Sequence, residues 1–335
     1  MSDVILSVKD LKTYFFLSSG TAKAVDGVTF DLRQGEILGI IGESGSGKSV
    51  MVKSTIRLLP EGIGKIVGGS VEFDEKDLTQ LDKAKLRELR GGDIAMIFQD
   101  PMTSLDPVFK VGDQMVEMIR AHQNISRQEA RKVAVESMRS VMISEPEARM
   151  NAYPHELSGG MCQRIIIAMA LCSKSKIIIA DEPTTALDVT VQAKILKLLR
   201  DLRDKNGTSI LLITHNLGVI WEMCDNVIVM YAGKIVEKTD VKTLYREPLH
   251  PYTWGLLDSM PSLATQVDKR LNTIKGAPPD LRLTGRCCNF SNRCPYAQPV
   301  CFDATPPAME VKPGHIVACH LQTGEHILRR GGETR

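Results

Sequence analysis

The chain has 335 residues, of which 24% are charged, and its formal net charge is only +2. This length allows one large or two modest domains, and the small net charge gives no overall field that would favour binding to nucleic acid. The longest uninterrupted apolar run, residues 165–172, is far shorter than the roughly 20 residues that span a bilayer. The N-terminus lacks the basic and apolar regions of a signal peptide, so we expect a cytoplasmic protein that reaches a membrane only through partners.

Alternating and apolar runs predict strands, and a longer spacing of apolar residues predicts helices. Residues 107–155 have helical spacing, with a capping box at Ser126 and Glu129, and a further helix over 191–202 is stopped by Asn206-Gly207. Strands that alternate with helices predict an α/β fold with a helical insertion over about 100–160. The predicted strands are 5–8, 28–32, 36–41, 70–73, 94–98, 177–180, 209–214 and 226–230.

A glycine-rich loop follows the third predicted strand and leads into a helical pattern, which is the context that a phosphate loop requires. Its glycines allow backbone amides to turn onto the β- and γ-phosphates of a nucleotide. Lys48 is placed to reach the β/γ oxygens, and Ser49 to bind Mg²⁺. The predicted loop comprises Gly42, Glu43, Ser44, Gly45, Ser46, Gly47, Lys48 and Ser49.

A second anion cradle is predicted where Ser158, Gly159 and Gly160 open a helix after Leu157. A serine hydroxyl and several free N–H groups at a helix start suit a phosphate. One chain therefore has two phosphate-binding surfaces, and a single nucleotide uses both only if two subunits face each other.

Polar residues follow several predicted strands. Asp181 ends a buried strand, where a carboxylate suits a cation such as Mg²⁺, and Glu182 is placed to polarise an attacking water, although it could also only cap the strand. Gln99 follows another strand and is a candidate for Mg²⁺ and water contacts. His215 follows the strand 209–214, from which a side chain reaches a γ-phosphate.

In this order, the motifs over residues 5–235 resemble those of the ATP-binding subunits of ABC transporters. The resemblance implies a P-loop ATPase core sheet, an antiparallel N-terminal β subdomain and an inserted helical subdomain, within an ATPase domain over 1–240. It also implies that Gln99 is the Q-loop, Asp188 belongs to the D-loop and His215 is the switch histidine. An aromatic residue that stacks on adenine is expected near the N-terminus: Phe15 is the best match, with Tyr14 and Phe16 as alternatives.

A cysteine-rich extension over 241–335 carries a cluster of cysteines at 287–319. Its spacing resembles the C-terminal region of ATP-binding subunits from dipeptide, oligopeptide and nickel importers, in which such a set holds a [4Fe–4S] cluster. Four thiolates suit that cluster, a Zn²⁺ ion is the alternative, and free thiols are also possible. The spacing favours Cys288 over its neighbour Cys287. The predicted ligands are Cys288, Cys294, Cys301 and Cys319.

The resemblance implies an ATPase that powers import of di- or oligopeptides. Its expected partners are a second, related ATPase subunit, two transmembrane permease subunits and, indirectly, an extracytoplasmic solute-binding protein, with no nucleic acid. The expected location is peripheral, on the cytoplasmic face of the inner membrane. The segment 100–107 and the helical insertion are the candidate permease contact. A nickel or glutathione importer is the alternative, and a soluble ABC ATPase that acts on nucleic acid or the ribosome is a further one.

Overall fold

The structure is a computed structural model that describes residues 3–259, 273–323 and 326–330. The chain divides into two compact units. The helical unit contains Asp3, Arg33–Ile37 and Leu81–Ile213. The phosphate-loop unit contains Val4–Leu32, Leu38–Gln80 and the described residues from Thr214 onward.

Each of the eight predicted strands overlaps an observed strand, but the strands that contain 28–32 and 70–73 begin earlier than predicted, and the first two are much longer. The predicted strand 5–8 lies near the start of one 14-residue strand, and 28–32 lies near the end of another. The rest of each strand is only partly buried, so its sequence shows little alternation of apolar and polar residues. In chain order the strands are β1 (Val4–Leu17), β2 (Gly20–Arg33), β3 (Ile37–Ile41), β4 (Gly64–Phe73), β5 (Lys76–Asp77), β6 (Ile94–Ile97), β7 (Ile177–Asp181), β8 (Ser209–Ile213), β9 (Asn226–Tyr231), β10 (Lys234–Asp240), β11 (Met309–Lys312), β12 (His315–Val317), β13 (Gln322–Thr323) and β14 (His326–Ile327).

The predicted helical insertion is confirmed, and so are its local signals. Ser126 and Glu129 form the capping box of α5, and Gly207 ends α8 with a φ of 67°. Short 3₁₀ turns cover Pro154–Glu156 and Ser291–Arg293. The helices are α1 (Lys48–Thr55), α2 (Lys83–Leu89), α3 (Pro101–Ser104), α4 (Val111–His122), α5 (Arg127–Ser140), α6 (Pro146–Arg149), α7 (Gly159–Cys172), α8 (Val189–Asn206), α9 (Leu217–Met223), α10 (Val241–Arg246), α11 (Pro251–Asp258) and α12 (Pro299–Asp303).

The phosphate-loop unit contains three groups of strands, the smallest of which pairs β13 with β14. The first has the order β2-β1-β4-β5, with β1 antiparallel to β4, and it confirms the predicted antiparallel N-terminal β subdomain. The second has the order β11-β12-β10-β9-β3, in which β3 and β9 are parallel and the remaining neighbours are antiparallel. Both ends of the unit's sequence therefore contribute to its sheets.

The helical unit places helices against the parallel strands β6, β7 and β8. Ile97 of β6 is level with Ala180 of β7, and Asp181 is level with Ile213 of β8. All five residues of β7 are buried, as expected for a parallel strand covered on both faces. Ser137 of α5 donates its hydroxyl to Ala168 O of α7 at 2.8 Å, which joins two of the inserted helices.

The C-terminal extension is more ordered than its sequence indicates. Its strand β12 pairs with β10 at Glu237–Val317 and Lys238–Ile316, so the extension continues the sheet of the phosphate-loop unit. The described helices include none that is both long and apolar enough to cross a membrane. The domain boundary at residue 240 stays a prediction.

Candidate functional site

The phosphate loop joins β3 to α1 and depends on glycine at two positions. Gly42 has a φ of 150°, and a Cβ there would lie 2.2 Å from Met230 O. Gly47 caps α1 with a φ of 101°, and a Cβ there would lie 2.3 Å from Ala24 O. Only glycine fits at either position. With glycine at both, the loop can turn its backbone amides, together with those of the first turn of α1, toward an anion.

Lys48 lies within this loop rather than in solvent. Its side chain is buried, and Nζ donates to Gly42 O at 2.8 Å and to Glu43 O at 2.9 Å. The ammonium is thus held at the concave side of the loop, where the prediction requires a point charge for phosphate oxygens. Ser49 follows in the first turn of α1. Ser44 and Gly45 are exposed at the tip of the loop.

The register of β1 separates the three candidate aromatic residues. Thr13 donates its hydroxyl to Ser54 of α1 at 2.8 Å, and Phe15 lies two residues further on the same face. Tyr14 is on the opposite face, where its hydroxyl donates to Asp26 Oδ1 at 2.8 Å and burial raises its pKa to about 12. Phe16 is 45% exposed, with Lys65 over its ring. Phe15 is therefore the aromatic residue on the face of β1 that contacts the phosphate-loop helix.

In the helical unit, Gln99, Asp181 and Glu182 lie at one edge of the parallel strands. Asp181 is the last residue of β7 and is fully buried, while Gln99 follows β6 by two residues and is exposed. Because Ile97 and Ala180 are level, the polar groups that follow these strands reach the same edge. Carboxylate and amide oxygens are the ligands that Mg²⁺ prefers.

Glu182 adopts a left-handed backbone conformation with a φ of 50°, which is uncommon for a residue other than glycine. Its N–H donates to Ile213 O at 2.9 Å, and Thr185 donates its hydroxyl to Glu182 Oε2 at 3.0 Å. The chain therefore turns sharply after β7, and the carboxylate is oriented by a neighbouring hydroxyl. Strain of this kind is concentrated at functional sites.

Ser158, Gly159 and Gly160 form the predicted N-terminus of α7. The Ser158 hydroxyl accepts from Met161 N at 3.3 Å and caps the helix. A Cβ on Gly159 would meet nothing within 4 Å, so the front of this helix end is open, whereas one on Gly160 would lie 3.1 Å from Ala186 O. The open N–H groups at this helix start suit an anion.

Helix α7 is also joined to the turn that follows Glu182. Gln163 Nε2 donates to Pro183 O at 3.0 Å in a buried position. Asp188 caps α8 by accepting from Val191 N at 2.9 Å and remains exposed. The structure thus brings the serine–glycine cradle, Glu182 and Asp188 into one connected part of the helical unit.

His215 belongs to the phosphate-loop unit and follows β8 by two residues. Its side chain is exposed. The next residue, Asn216, caps α9 by accepting from Gly218 N at 2.9 Å, which fixes the backbone beside the histidine. His215 therefore lies, with an exposed side chain, in a turn whose backbone is held by hydrogen bonds.

The four predicted cysteine ligands lie near one another in the phosphate-loop unit. Cys288 N donates to Cys301 O at 3.0 Å. Burial, together with the smaller effect of the nearby thiols of Cys288, Cys294 and Cys301, raises the pKa of Cys319 to about 12. Burial likewise raises the pKa of Cys294 to about 11. Nevertheless, among the described residues no group of three or more His, Cys, Asp or Glu side chains is placed to hold a metal ion, so the structure does not support the predicted metal site.

Two contacts to the phosphate loop were missed by the sequence analysis. Arg293 forms an ion pair with Glu43 that joins residues 250 positions apart, and Tyr252 OH accepts from Glu43 N at 2.7 Å. The sequence carries no spacing or periodicity that links these positions. Glu43 is the one acidic residue within the glycine- and serine-rich loop over 42–49, and this is the only signal of a special role in the sequence.

Comparisons with known proteins agree with this geometry. The ABC transporter family matches residues 25–185, and the family "Oligopeptide/dipeptide transporter, C-terminal region" matches residues 236–301. The oligopeptide transport ATP-binding protein AppD of Bacillus subtilis is 48% identical over 96% of this chain and 98% of its own length. The dipeptide transport ATP-binding protein DppD of the same organism is 46% identical over 98% of both chains.

Solved structures give the same fold. A dimeric structure of MJ0796, described as a bacterial ABC transporter cassette, superposes with a TM-score of 0.64 at 28% identity and covers 70% of this chain and 98% of its own. A dimeric post-hydrolysis state of the same cassette, bound to ADP and Pi, has a TM-score of 0.65. The family match, the relatives that span nearly the whole chain and the shared fold show that the chain belongs to the family of ABC transporter ATP-binding proteins.

Proposed function

We propose that this chain hydrolyses ATP to power import of di- or oligopeptides through a membrane transporter. The proposal that the cargo is a peptide rests on the C-terminal extension. This extension matches the oligopeptide/dipeptide transporter region and forms part of the phosphate-loop unit through β12. The relatives that match over nearly the whole chain are named for oligopeptide and dipeptide transport. The two divisions of the chain, an ATPase domain over 1–240 and an extension over 241–335, are part of this proposal.

In this function the loop glycines, Lys48 and Ser49 bind the phosphates and Mg²⁺ of ATP, and Phe15 stacks on adenine. Asp181 and Gln99 complete the surroundings of the ion, and Glu182 orients and polarises the water that attacks the γ-phosphate. His215 contacts the γ-phosphate as the switch histidine. Two features support these assignments. The loop requires glycine at positions 42 and 47, which suits phosphate binding by backbone amides, and the oxygen atoms at the strand edge suit Mg²⁺.

ATP binding would close a head-to-tail dimer in which Ser158, Gly159 and Gly160 cradle the partner's nucleotide, with Asp188 beside them. The open front of Gly159 supports a partner on this side of α7. We propose that the partner is a related, different ATPase subunit, as the resemblance to peptide importers implies, and that the pair works peripherally at the cytoplasmic face of the membrane.

The permease contact is proposed to lie after Gln99, on α3 and the loop that joins it to α4. Met102 is 48% exposed, Val108 70% and Phe109 57%, whereas Leu105 is buried. Three exposed apolar side chains within a short segment suit a protein partner. Met102→Glu should uncouple hydrolysis from transport without loss of ATP binding, and normal coupling in that variant would argue against this surface.

We propose further that Cys288, Cys294, Cys301 and Cys319 bind a [4Fe–4S] cluster with a structural role. The support is the convergence of four buried or half-buried thiols from separate turns of the extension.

Metal analysis of anaerobically purified protein tests the cluster. About four irons with acid-labile sulfide per chain support it, and one zinc supports the rival site. Cys301→Ser should remove the metal and loosen the extension while the phosphate loop still binds ATP, because thiolate ligation couples to local folding. Absence of both metals would reject the proposal.

The cargo is tested on the complex purified from membranes with its partners. ATP hydrolysis should rise when a solute-binding protein loaded with a di- or oligopeptide is added, and it should not rise with nickel or glutathione. Stimulation by nickel or glutathione instead would assign the chain to the alternative importers.

A further inference from the structure

An ion pair joins the C-terminal extension to the phosphate loop. Arg293 Nη1 and Nη2 donate to the two carboxylate oxygens of Glu43 at 2.6 and 2.9 Å. The Arg293 side chain is 5% exposed and that of Glu43 is 26% exposed. A two-pronged pair that is largely shielded from water is stronger and more directional than a surface pair.

The guanidinium is held in place by groups other than Glu43. Arg293 Nε donates to Lys275 O at 3.0 Å, and Nη1 also donates to the hydroxyl of Tyr231 at 3.2 Å. The guanidinium carbon lies 5.8 Å from the centroid of the Tyr231 ring. Arg293 is therefore a fixed donor that orients Glu43, rather than a mobile side chain that follows it.

Glu43 in turn contacts the groups that bind phosphate. Its carbonyl oxygen accepts from Lys48 Nζ at 2.9 Å, and its N–H donates to Tyr252 OH at 2.7 Å. The rings of Tyr252 and Tyr231 pack with centroids 4.6 Å apart, so both loop contacts rest on one aromatic cluster. A change in the position of Glu43 is passed directly to Lys48.

The charge of Glu43 is the second part of the argument. It is the only carboxylate among residues 42–49, in a loop that has to accept a polyphosphate. Like charges at short range disfavour binding, and this repulsion is screened by salt only where the groups face solvent. A paired carboxylate avoids that repulsion.

We propose that Arg293 is a positioning residue for ATP binding, because its pair with Glu43 neutralises the carboxylate of the phosphate loop and fixes the loop around Lys48. Arg293 directly precedes Cys294, so order in the cysteine-bearing segment is coupled to order in the phosphate loop. The Arg293–Glu43 part of this inference depends on ATP binding alone and not on peptide cargo or on a cluster.

The test is the dissociation constant for ATP of the full-length chain, measured by displacement of a fluorescent ATP analogue for Arg293→Gln, Glu43→Gln and the double variant. Arg293→Gln should weaken ATP binding about 10- to 100-fold, the range expected when a binding group is misplaced. Glu43→Gln alone should change it much less, since it removes the charge that needs a partner while its amide oxygen still accepts a hydrogen bond from Arg293. The double variant should therefore recover most of the loss.

Arg282→Gln is the matched control, because Arg282 lies in the same extension but pairs with exposed Asp280. It should leave ATP affinity unchanged. Wild-type affinity in Arg293→Gln would overturn the proposal, and so would a loss that the double variant keeps, since a purely structural arginine is not rescued by Glu43→Gln. If Arg293→Gln does not fold, Arg293→Met, which also removes the charge but keeps an unbranched side chain, replaces it, and the same rescue decides.

Discussion

At the scale of single residues, Glu182 combines a strained backbone with an oriented carboxylate. Its φ of 50° turns the chain directly after β7, and Thr185 donates to Oε2. Both features suit an oriented carboxylate at a functional site, and the catalytic role of Glu182 stays a prediction.

Glu182→Gln should abolish turnover while ATP still binds. The substitution removes the charge that polarises water but leaves the loop and Lys48 in place, and general bases contribute about 10²–10⁴-fold to rates. Single-turnover hydrolysis and nucleotide affinity in the assembled complex measure the two effects separately. Lys48→Ala is the contrasting variant, since it should weaken binding itself. Near-normal hydrolysis in Glu182→Gln would remove the proposed role.

Much of the candidate site could be predicted from the sequence because its motifs are local. The loop over 42–49 and the cradle at Ser158–Gly160 depend on residue types at fixed short spacing, and the structure places them at helix starts as expected. The sequence already favours Phe15 over Tyr14 and Phe16, but only the register of β1 shows that Phe15 is on the face that contacts α1. Successive side chains of a strand point to opposite faces, but three consecutive aromatic residues give no sign in the sequence of which face each one occupies.

At the scale of elements, the C-terminal extension is anchored to β10 by a buried carboxylate. Glu237 is fully buried, and it accepts from Leu249 N at 2.7 Å and His250 N at 3.0 Å. The Thr253 hydroxyl also donates to it, and His315 Nε2 lies 2.8 Å from Oε1. One side chain thus joins β10 to the start of α11 and to β12.

Glu237→Ala should lower the free energy of unfolding by about 3–5 kcal/mol, because it leaves buried donors without an acceptor. Urea denaturation of the full-length chain measures the change. Glu247→Ala is the matched control: Glu247 pairs with Lys312 in the same region, but both side chains are about half exposed, so we expect less than about 1 kcal/mol. Equal effects in the two variants would contradict the anchor.

The sequence does not predict these connections because they join distant residues. Glu237 and His315 are 78 positions apart, and Glu43 and Arg293 are 250 apart. From the sequence alone, a glutamate such as Glu237 in a short strand is expected at the surface, because the groups that donate hydrogen bonds to it come from distant parts of the chain. The proline- and cysteine-rich composition after 241 likewise hides β12, which pairs through only three residues of its own.

At the scale of the whole molecule, each compact unit carries one of the two predicted phosphate-binding surfaces. The phosphate loop is in one compact unit, and the Ser158–Gly160 cradle with an open front is in the other. A solved relative of the fold is a dimer, as its title states. We therefore expect the nucleotide to be enclosed only when two subunits meet.

The isolated chain should accordingly be a poor ATPase whose specific activity rises with concentration or on addition of its partner subunit. Hydrolysis rates over a dilution series, with and without the partner, measure this dependence. Ser158→Arg, which fills the cradle, should remove the rise without weakening ATP binding to the same chain. A fully active monomer with a concentration-independent rate would reject the shared site.

Peptide uptake tests the central proposal most directly. The chain, with the membrane subunits and partner ATPase that co-purify with it, is reconstituted in proteoliposomes with a peptide-loaded solute-binding protein. The proposal predicts uptake of labelled di- or oligopeptide that requires ATP and is lost in Glu182→Gln, while that variant still binds ATP. Uptake that persists without ATP or in Glu182→Gln, or an intact complex that moves no peptide, would contradict it.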